Sequence, residues 1–383
     1  MELNSQYDVA IIGGGLAGLS CAIELRMAGY DVILFEQERY PFHKVCGEYI
    51  SRESLNYLQH LGIPIGQMEV PFINNLVLTA PNGRKFKTAL PLGGFGISRY
   101  VLDNALAQKA KNIGVVVLEE TKVEEVLFNE SFSIHFNSRI TKINSVKATV
   151  CCAAWGKKGN IDRKWNRKFL SKTSKQLNNY IAVKYHIRSN WPARDIGLHN
   201  FRDGYCGVSN IENGLTCLCY MTTAANLKQS NNSVQQLEQN ILMNNPHLKE
   251  IFDSCTRINE FPITISQINF LPKSKVENHV IMMGDTAGLI TPLCGNGMSI
   301  ALHTGKIAAR LVILFLMGKI TRSDLEKQYS SEWNHHFSKR LRNGRYLQWF
   351  FGREWISNSF VSFFQLFPFF ARRVIRMTHG KPF

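Results

Sequence analysis

No Cys-x-x-Cys pair and no regular cysteine framework occur among the nine cysteines of this 383-residue chain. That absence removes metal-ribbon and disulfide-scaffold architectures, and an odd cysteine number in a chain of this size suits reduced thiols. No metal site is expected. No basic, apolar leader precedes the strand-like "YDVAIIG" at residues 7–13, so a cytoplasmic location is expected. Acidic residues are scarce, 29 against 45 Lys and Arg, for a net charge of +16. Residues 157–188 carry ten cations against one acid, and residues 319–383 carry twelve against four, so the remainder is close to neutral. Such local surpluses attract anionic partners: nucleic acid, membrane surface or phosphorylated substrate. Nucleic acid is not among the partners expected here, and solvated basic faces explain the first block equally well. Charged residues reach only 19% and hydrophobic ones 45%, which argues against disorder and supports two packed domains.

What is present begins with "YDVAIIGGGLAGLSCAIELRMAGYDVILFE". Val9, Ile11 and Ile12 read as a strand buried on both faces. Gly13, Gly15 and Gly18 then form G-x-G-x-x-G at the turn into a helix. This pattern allows a tight turn, close approach of a pyrophosphate and packing of helix on strand. The helix start, with Leu16 and Ala17, offers free N–H groups and positive dipole to phosphates. A second strand, "VILF", ends in Glu36, eighteen residues after Gly18, where a carboxylate accepts ribose hydroxyls and repels a 2′-phosphate. FAD or NAD fits; NADP does not.

"HVIMMGDTAGLITPLCGNGMSIALHTGKIAARLVILFL", from residue 279, runs from a strand through Gly284-Asp285 and a Pro/Gly-rich turn into a long helix from about Gly297. Here the sequence resembles the FAD-dependent p-hydroxybenzoate-hydroxylase-like superfamily. The resemblance implies that Asp285 binds the ribityl chain. It also implies that Pro292, Gly295, Asn296, Gly297 and Met298 bring a helix N-terminus to the flavin, where positive dipole favours the reduced, anionic ring. "GISRYVLDNALAQKAKNIGV" is similar to a family helix whose arginine, here Arg99, lies near FAD, and Arg39 is counted with the cofactor residues. Ala154-Trp155-Gly156 stands where the family has Ala-Asp-Gly. No second dinucleotide fingerprint appears, so an external reductant such as NAD(P)H has no visible resident site.

Between these motifs lies "YPFHKVCGEYIS", residues 40–51. Its K-x-C-G followed by a helix resembles the geranylgeranyl reductase branch, as does "GNGMSIALHTGKIAA". The resemblance puts Lys44, Cys46 and Gly47 beside the flavin. Cys46 is the candidate proton donor, with Lys44 and His43 favouring its thiolate. The other reading is that Cys46 and Gly47 are small where the chain passes the ring. Glu48 acts through its backbone or positions a neighbour. The branch's cavity motif, Y-x-W-x-F-P, is reduced to Tyr205-Cys206-Gly207-Val208-Ser209-Asn210, so Tyr205, Gly207 and Ser209 should line a differently shaped cavity. The W-x-W pair of flavin halogenases is absent.

The expected fold is α/β. A Rossmann-like FAD domain comes from residues 1–72, 99–160 and 272–320, and a substrate domain on an antiparallel sheet from 73–98 and 161–271. A helical C-terminal region, 321–383, completes the chain. His186, His199, Cys217 and Cys219 read as wall or surface residues. The tail holds eight of the 24 phenylalanines between 350 and 370, and its longest apolar run, broken by Pro368, falls short of the ~20 residues a span needs. It packs over the cavity or makes peripheral membrane contact, two roles that can coexist. The expected protein is a monomeric FAD oxidoreductase that reduces a carbon–carbon double bond of a lipophilic small molecule. The alternatives are a monooxygenase acting on an aromatic or polyketide ring and a non-catalytic flavin or lipid carrier.

Overall fold

The apolar run at the N-terminus becomes β1 (Gln6–Ile12), whose Val9 to Ile12 are all buried. It is sandwiched in parallel between β2 (Val32–Phe35) and β9 (Ser145–Ala153). In this computed structural model the first sheet runs in the order β16 (Val276–Glu277), β17 (Val280–Met282), β9, β1, β2, β6 (Val116–Leu118). A meander of β7 (Thr121–Asn129) and β8 (Ser131–Ser138) attaches to β9. Residues 3–157, 159–171, 180–259, 261–268, 270–351, 353–378 and 380–383 are described; residues 172–179 of the first basic block lie outside them. Helix α1 (Leu16–Met27) follows the glycine turn, and α2 (Arg99–Asn112) starts under a Ser98 side-chain cap. Helix α3 (Gly297–Leu316) is long and apolar enough to cross a membrane, yet Leu302, Ala308, Leu311 and Val312 are buried in the core of this domain.

The second sheet has the order β14 (Thr256–Arg257), β10 (Tyr180–Arg188), β13 (Thr216–Thr223), β12 (Gly204–Asn210), β11 (Asp195–Phe201), β4 (Phe72–Thr79), β5 (Lys85–Gly96), β3 (Tyr49–Ser51). A further strand, β15 (Ile263–Ile268), pairs with β10. The alternating segments from residue 180 to 222 do form strands, antiparallel from β10 through β11; among the described residues of this sheet only the β11–β4 junction is parallel.

Two segments fall differently from the expected division. Residues 49–51 pair with β5 in the second sheet, so the loop before them crosses between the sheets. The stretch 161–171 lies on the cofactor side, because the buried Arg167 guanidinium finds its partners there. It bonds Asp162 Oδ1 at 2.8 Å, Glu277 Oε2 at 2.7 Å and the Thr286 carbonyl at 3.2 Å. Three helices end the chain: α4 (Arg322–Phe351), α5 (Glu354–Leu366) and α6 (Pro368–Thr378). Tyr329, Trp333 and Phe337 bury α4 in the first core, whereas Val361, Phe364 and Ala371 of α5 and α6 join the second core with Leu78, Phe86 and Met221.

Candidate functional site

The glycine turn shows why its residues are glycine. At Gly13 φ is +106°, and a Cβ there would overlap the Ala154 carbonyl, so the turn closes only without a side chain. Gly15 differs. A Cβ there would meet only the Arg99 Nη2 at 3.6 Å and the Lys44 Nζ at 3.9 Å, two cations held above the open start of α1. No side chain caps that helix, so its first N–H groups are free for an anion. Leu16 and Ala17 line the cavity beside it, while Gly18 serves the packing and stays off the wall. Glu36 is buried at the lip, accepting the Gly14 N–H at 2.9 Å and the Glu38 N–H at 3.1 Å, with lone pairs left for hydroxyls. Arg39 is exposed and off the wall.

Lys44 and Arg99 share one carboxylate. Arg99 bonds both Asp103 oxygens at 2.7 Å, and Lys44 Nζ reaches Oδ2 at 3.1 Å. Burial alone would raise the Asp103 carboxyl, but Arg99 and Lys44 hold it below the ordinary range. Two cations on one anion leave a net positive charge toward Gly15. The Lys44 ammonium, expected to act on the Cys46 thiol and on the cofactor, is thus found at Asp103 and Gly15.

The chain from Lys44 to Glu48 is pinned by side chains from the second sheet. Lys184 Nζ donates to the Lys44 carbonyl at 3.2 Å, Cys217 Sγ to that of Cys46 at 3.4 Å, and Ser209 Oγ to that of Gly47 at 3.3 Å. Glu48 itself sits at φ +53° and is fully buried. Its Oε1 accepts from Lys184 and from the Arg99 N–H at 2.9 Å, and its Oε2 lies 2.6 Å from His186 Nε2. Burial would raise this carboxyl, yet His186 and Lys184 hold it below its ordinary value. Burial would lower Lys184, and Glu48 raises it.

His186 and Cys217, expected as wall or surface residues, join this cluster, as does Lys184, for which no role was expected. The available signal was alternation: Ala182, Lys184 and His186 share one face of β10, and a lysine amid such a face needs a buried anion. Glu48, His186 and Cys217 bring possible ligand atoms within 4.8 Å, the one such group among the described residues. The Lys184 ammonium already neutralises Glu48, and burial pushes the Cys217 thiol well up, so the chemistry disfavours a metal.

Across the cavity, Gly284 donates its N–H to Thr304 Oγ1 at 2.9 Å, fixing the turn that carries Asp285. Asn296 precedes α3 without a side-chain cap, so this second helix start is also open. Asp285, Pro292, Gly295, Gly297 and Met298 line the cavity; the Asn296 side chain is buried off it. Trp155, in place of the aspartate, lines the wall and donates Nε1–H to Asp162 at 3.1 Å. One cavity of about 860 Å³ joins these parts. From Gly15 and Glu36 it passes Cys46 and Gly47, then Tyr205, Gly207 and Ser209, and ends among Phe86, Met221, Phe364 and Val374.

Residues 6–174 match the FAD binding domain family. The protein is an FAD-dependent oxidoreductase. It is similar to conditioned medium factor receptor 1 of Dictyostelium discoideum, 24% identical over 90% of this chain and 71% of that one. It is also similar to digeranylgeranylglycerophospholipid reductase of Methanococcus vannielii, 24% identical over 89% of this chain and 85% of the relative. The flavin-dependent brominase Bmp2 shares the fold, with a TM-score of 0.77 at 18% identity over 97% and 93% of the two chains. The resemblance to the geranylgeranyl reductase-like branch of the p-hydroxybenzoate-hydroxylase-like superfamily is thereby borne out.

The flavoenzyme's residues fit the cofactor. The open cradle at Gly15, the cations of Lys44 and Arg99, and the carboxylate of Glu36 suit the pyrophosphate and ribose. The second open helix start, behind Asp285, suits the anionic form of the ring.

Proposed function

We propose that this flavoenzyme reduces a carbon–carbon double bond of a lipophilic, isoprenoid-like substrate. The observation that carries the reading is the cavity itself, which runs without a break from the phosphate cradle past Cys46 into a lobe walled by Leu78, Phe86, Ala182 and Met221. A polar cradle at one end and an apolar lobe at the other suit a lipophilic substrate beside the cofactor more than a small polar acid. Its relative in Methanococcus vannielii is named for such a lipid. FAD held there, once reduced by an external donor such as NAD(P)H, would supply the hydride. Cys46 supplies the proton, as a thiol at the edge of the wall. Glu48, Lys184 and His186 hold the Cys46 loop, and Lys44 and Arg99 hold phosphate.

Hydroxylation of an aromatic or polyketide ring is the second reading. It is favoured by the small residues Gly207 and Ser209 on the wall, which leave room for a ring system. Turnover of a polyprenyl lipid by the chemically reduced holoenzyme without oxygen tests the choice. A saturated product supports the reductase; a product formed only with oxygen, carrying a new hydroxyl, supports the other.

A further inference from the structure

The last two helices carry two different faces. Inward, Phe364 of α5 and Ala371, Val374 and Ile375 of α6 line the apolar end of the cavity, the last three falling on one helical stripe. Outward, around the turn between the helices, Phe363, Leu366, Phe367, Phe369 and Phe370 are 38–74% exposed. These rings gather rather than scatter: Phe363 lies 5.1 Å from Phe367 and 5.3 Å from Phe370, centroid to centroid. An exposed aromatic cluster of this kind marks an interaction site.

Charge selects its partner. Arg372, Arg373 and Arg376 are exposed on α6, and no Asp or Glu occurs between residues 355 and 383. The β4–β5 turn adds exposed Arg84 and Lys85, tied to α5 through the Gln365 side-chain amide on the Lys85 carbonyl at 2.9 Å. Aromatic rings at a tip with arginines beside them match the acyl boundary and the anionic headgroups of a bilayer. A second copy of the chain matches poorly, because a two-fold contact would set this arginine cluster against itself.

We propose that the α5–α6 turn seats in an anionic bilayer surface and that these two helices form the portal through which a lipophilic substrate passes from the bilayer into the cavity. The portal half rests on the lipid-reductase reading; the membrane half does not. The one helix pair is both anchor and cavity wall, so the substrate need never cross water.

The holoenzyme is sedimented with phosphatidylcholine vesicles, with and without phosphatidylserine. Wild type is expected with the anionic vesicles only. Arg372→Gln/Arg373→Gln/Arg376→Gln should weaken that binding roughly 100-fold, and Phe369→Ser/Phe370→Ser should abolish it, with flavin content unchanged in both. No vesicle binding by wild type, equal binding to both vesicles, or a concentration-dependent dimer lost in the phenylalanine variant would overturn the membrane half. For the portal, the phenylalanine variant should turn over detergent-dispersed polyprenyl lipid as wild type does and fail on the same lipid in vesicles. Equal activity on both overturns it. If wild type turns over neither form, the reductase reading has failed and the portal with it, and sedimentation still decides the membrane half.

Discussion

The two ends of the cavity are built by different means. At the phosphate end the ligand-facing groups are largely backbone: a glycine turn and the open start of α1, with the Glu36 carboxylate at the end of the neighbouring strand β2. At the Cys46 end they are side chains reaching across from another sheet, with Lys184, Cys217 and Ser209 holding three loop carbonyls. Backbone chemistry leaves a local signature, because glycine spacing and a strand–turn–helix pattern fit within thirty residues. Side-chain chemistry between sheets does not. Glu48 lies 136 residues from Lys184 and 138 from His186, and nothing local couples them.

That contrast explains what was legible. The FAD fingerprint, the Gly284-Asp285 turn and the four strands between residues 180 and 223 could be read, since each is a short-range pattern of glycine or of alternating polarity. The crossing of residues 49–51 into the second sheet could not, because three residues carry too little pattern to choose a partner. Lys44 was read with Cys46, two residues away, but its side chain follows Asp103, 59 residues on. The tail posed a choice between packing and exposure, and α5 and α6 do both with opposite faces.

The largest expected effect breaks the backbone end. In Gly15→Val the new side chain fills the space between the turn and the two cations. FAD binding should be abolished, read as loss of the flavin absorbance from purified, folded protein. Stoichiometric flavin in that variant would remove the cradle from the site.

Next comes the side-chain end. Cys46→Ala should keep FAD and still accept electrons, while product formation drops by on the order of 10²–10⁴-fold, the usual worth of a positioned acid. Cys46→Ser should retain little, since a hydroxyl is a far weaker acid. If Cys46 only spares space, Ala should stay nearly as active as wild type and Cys46→Leu should displace flavin. A smaller loss is expected on the opposite wall. Asp285→Ala removes a charge-assisted hydrogen bond of ~1.5–3 kcal/mol, so FAD affinity should fall by about 10–100-fold with the fold intact. Titration of the apoprotein with FAD measures it, and an unchanged affinity would end the ribityl role.

The smallest effect is a pH dependence, and it tests whether Glu48 is the hub of the side-chain end. Its folded carboxyl lies below the ordinary 4.5, held there by His186 and Lys184 against burial. A group lowered on folding stabilises the protein above its unfolded value, and that contribution is lost as pH falls through the folded value. Lys184 is raised above the ordinary 10.5 by Glu48 against burial, so its contribution is complete below that value and is lost as pH rises through the raised one. Stability from this pair should therefore be level from about pH 5 to 10 and fall at both ends. Asp103, lowered by Arg99 and Lys44, falls in acid too, as does any histidine buried neutral, such as His199. Those groups remain in the double variant Glu48→Gln/Lys184→Met, which removes both charges of the pair together and so leaves neither buried and unpaired. In thermal unfolding the difference between wild type and double variant should move against wild type as pH falls below the ordinary carboxyl value, a change that isolates Glu48. Parallel curves across that range would mean that the Glu48 carboxyl titrates alike in the folded and unfolded protein, and its pairing with Lys184 and His186 would then add no acid-dependent stability.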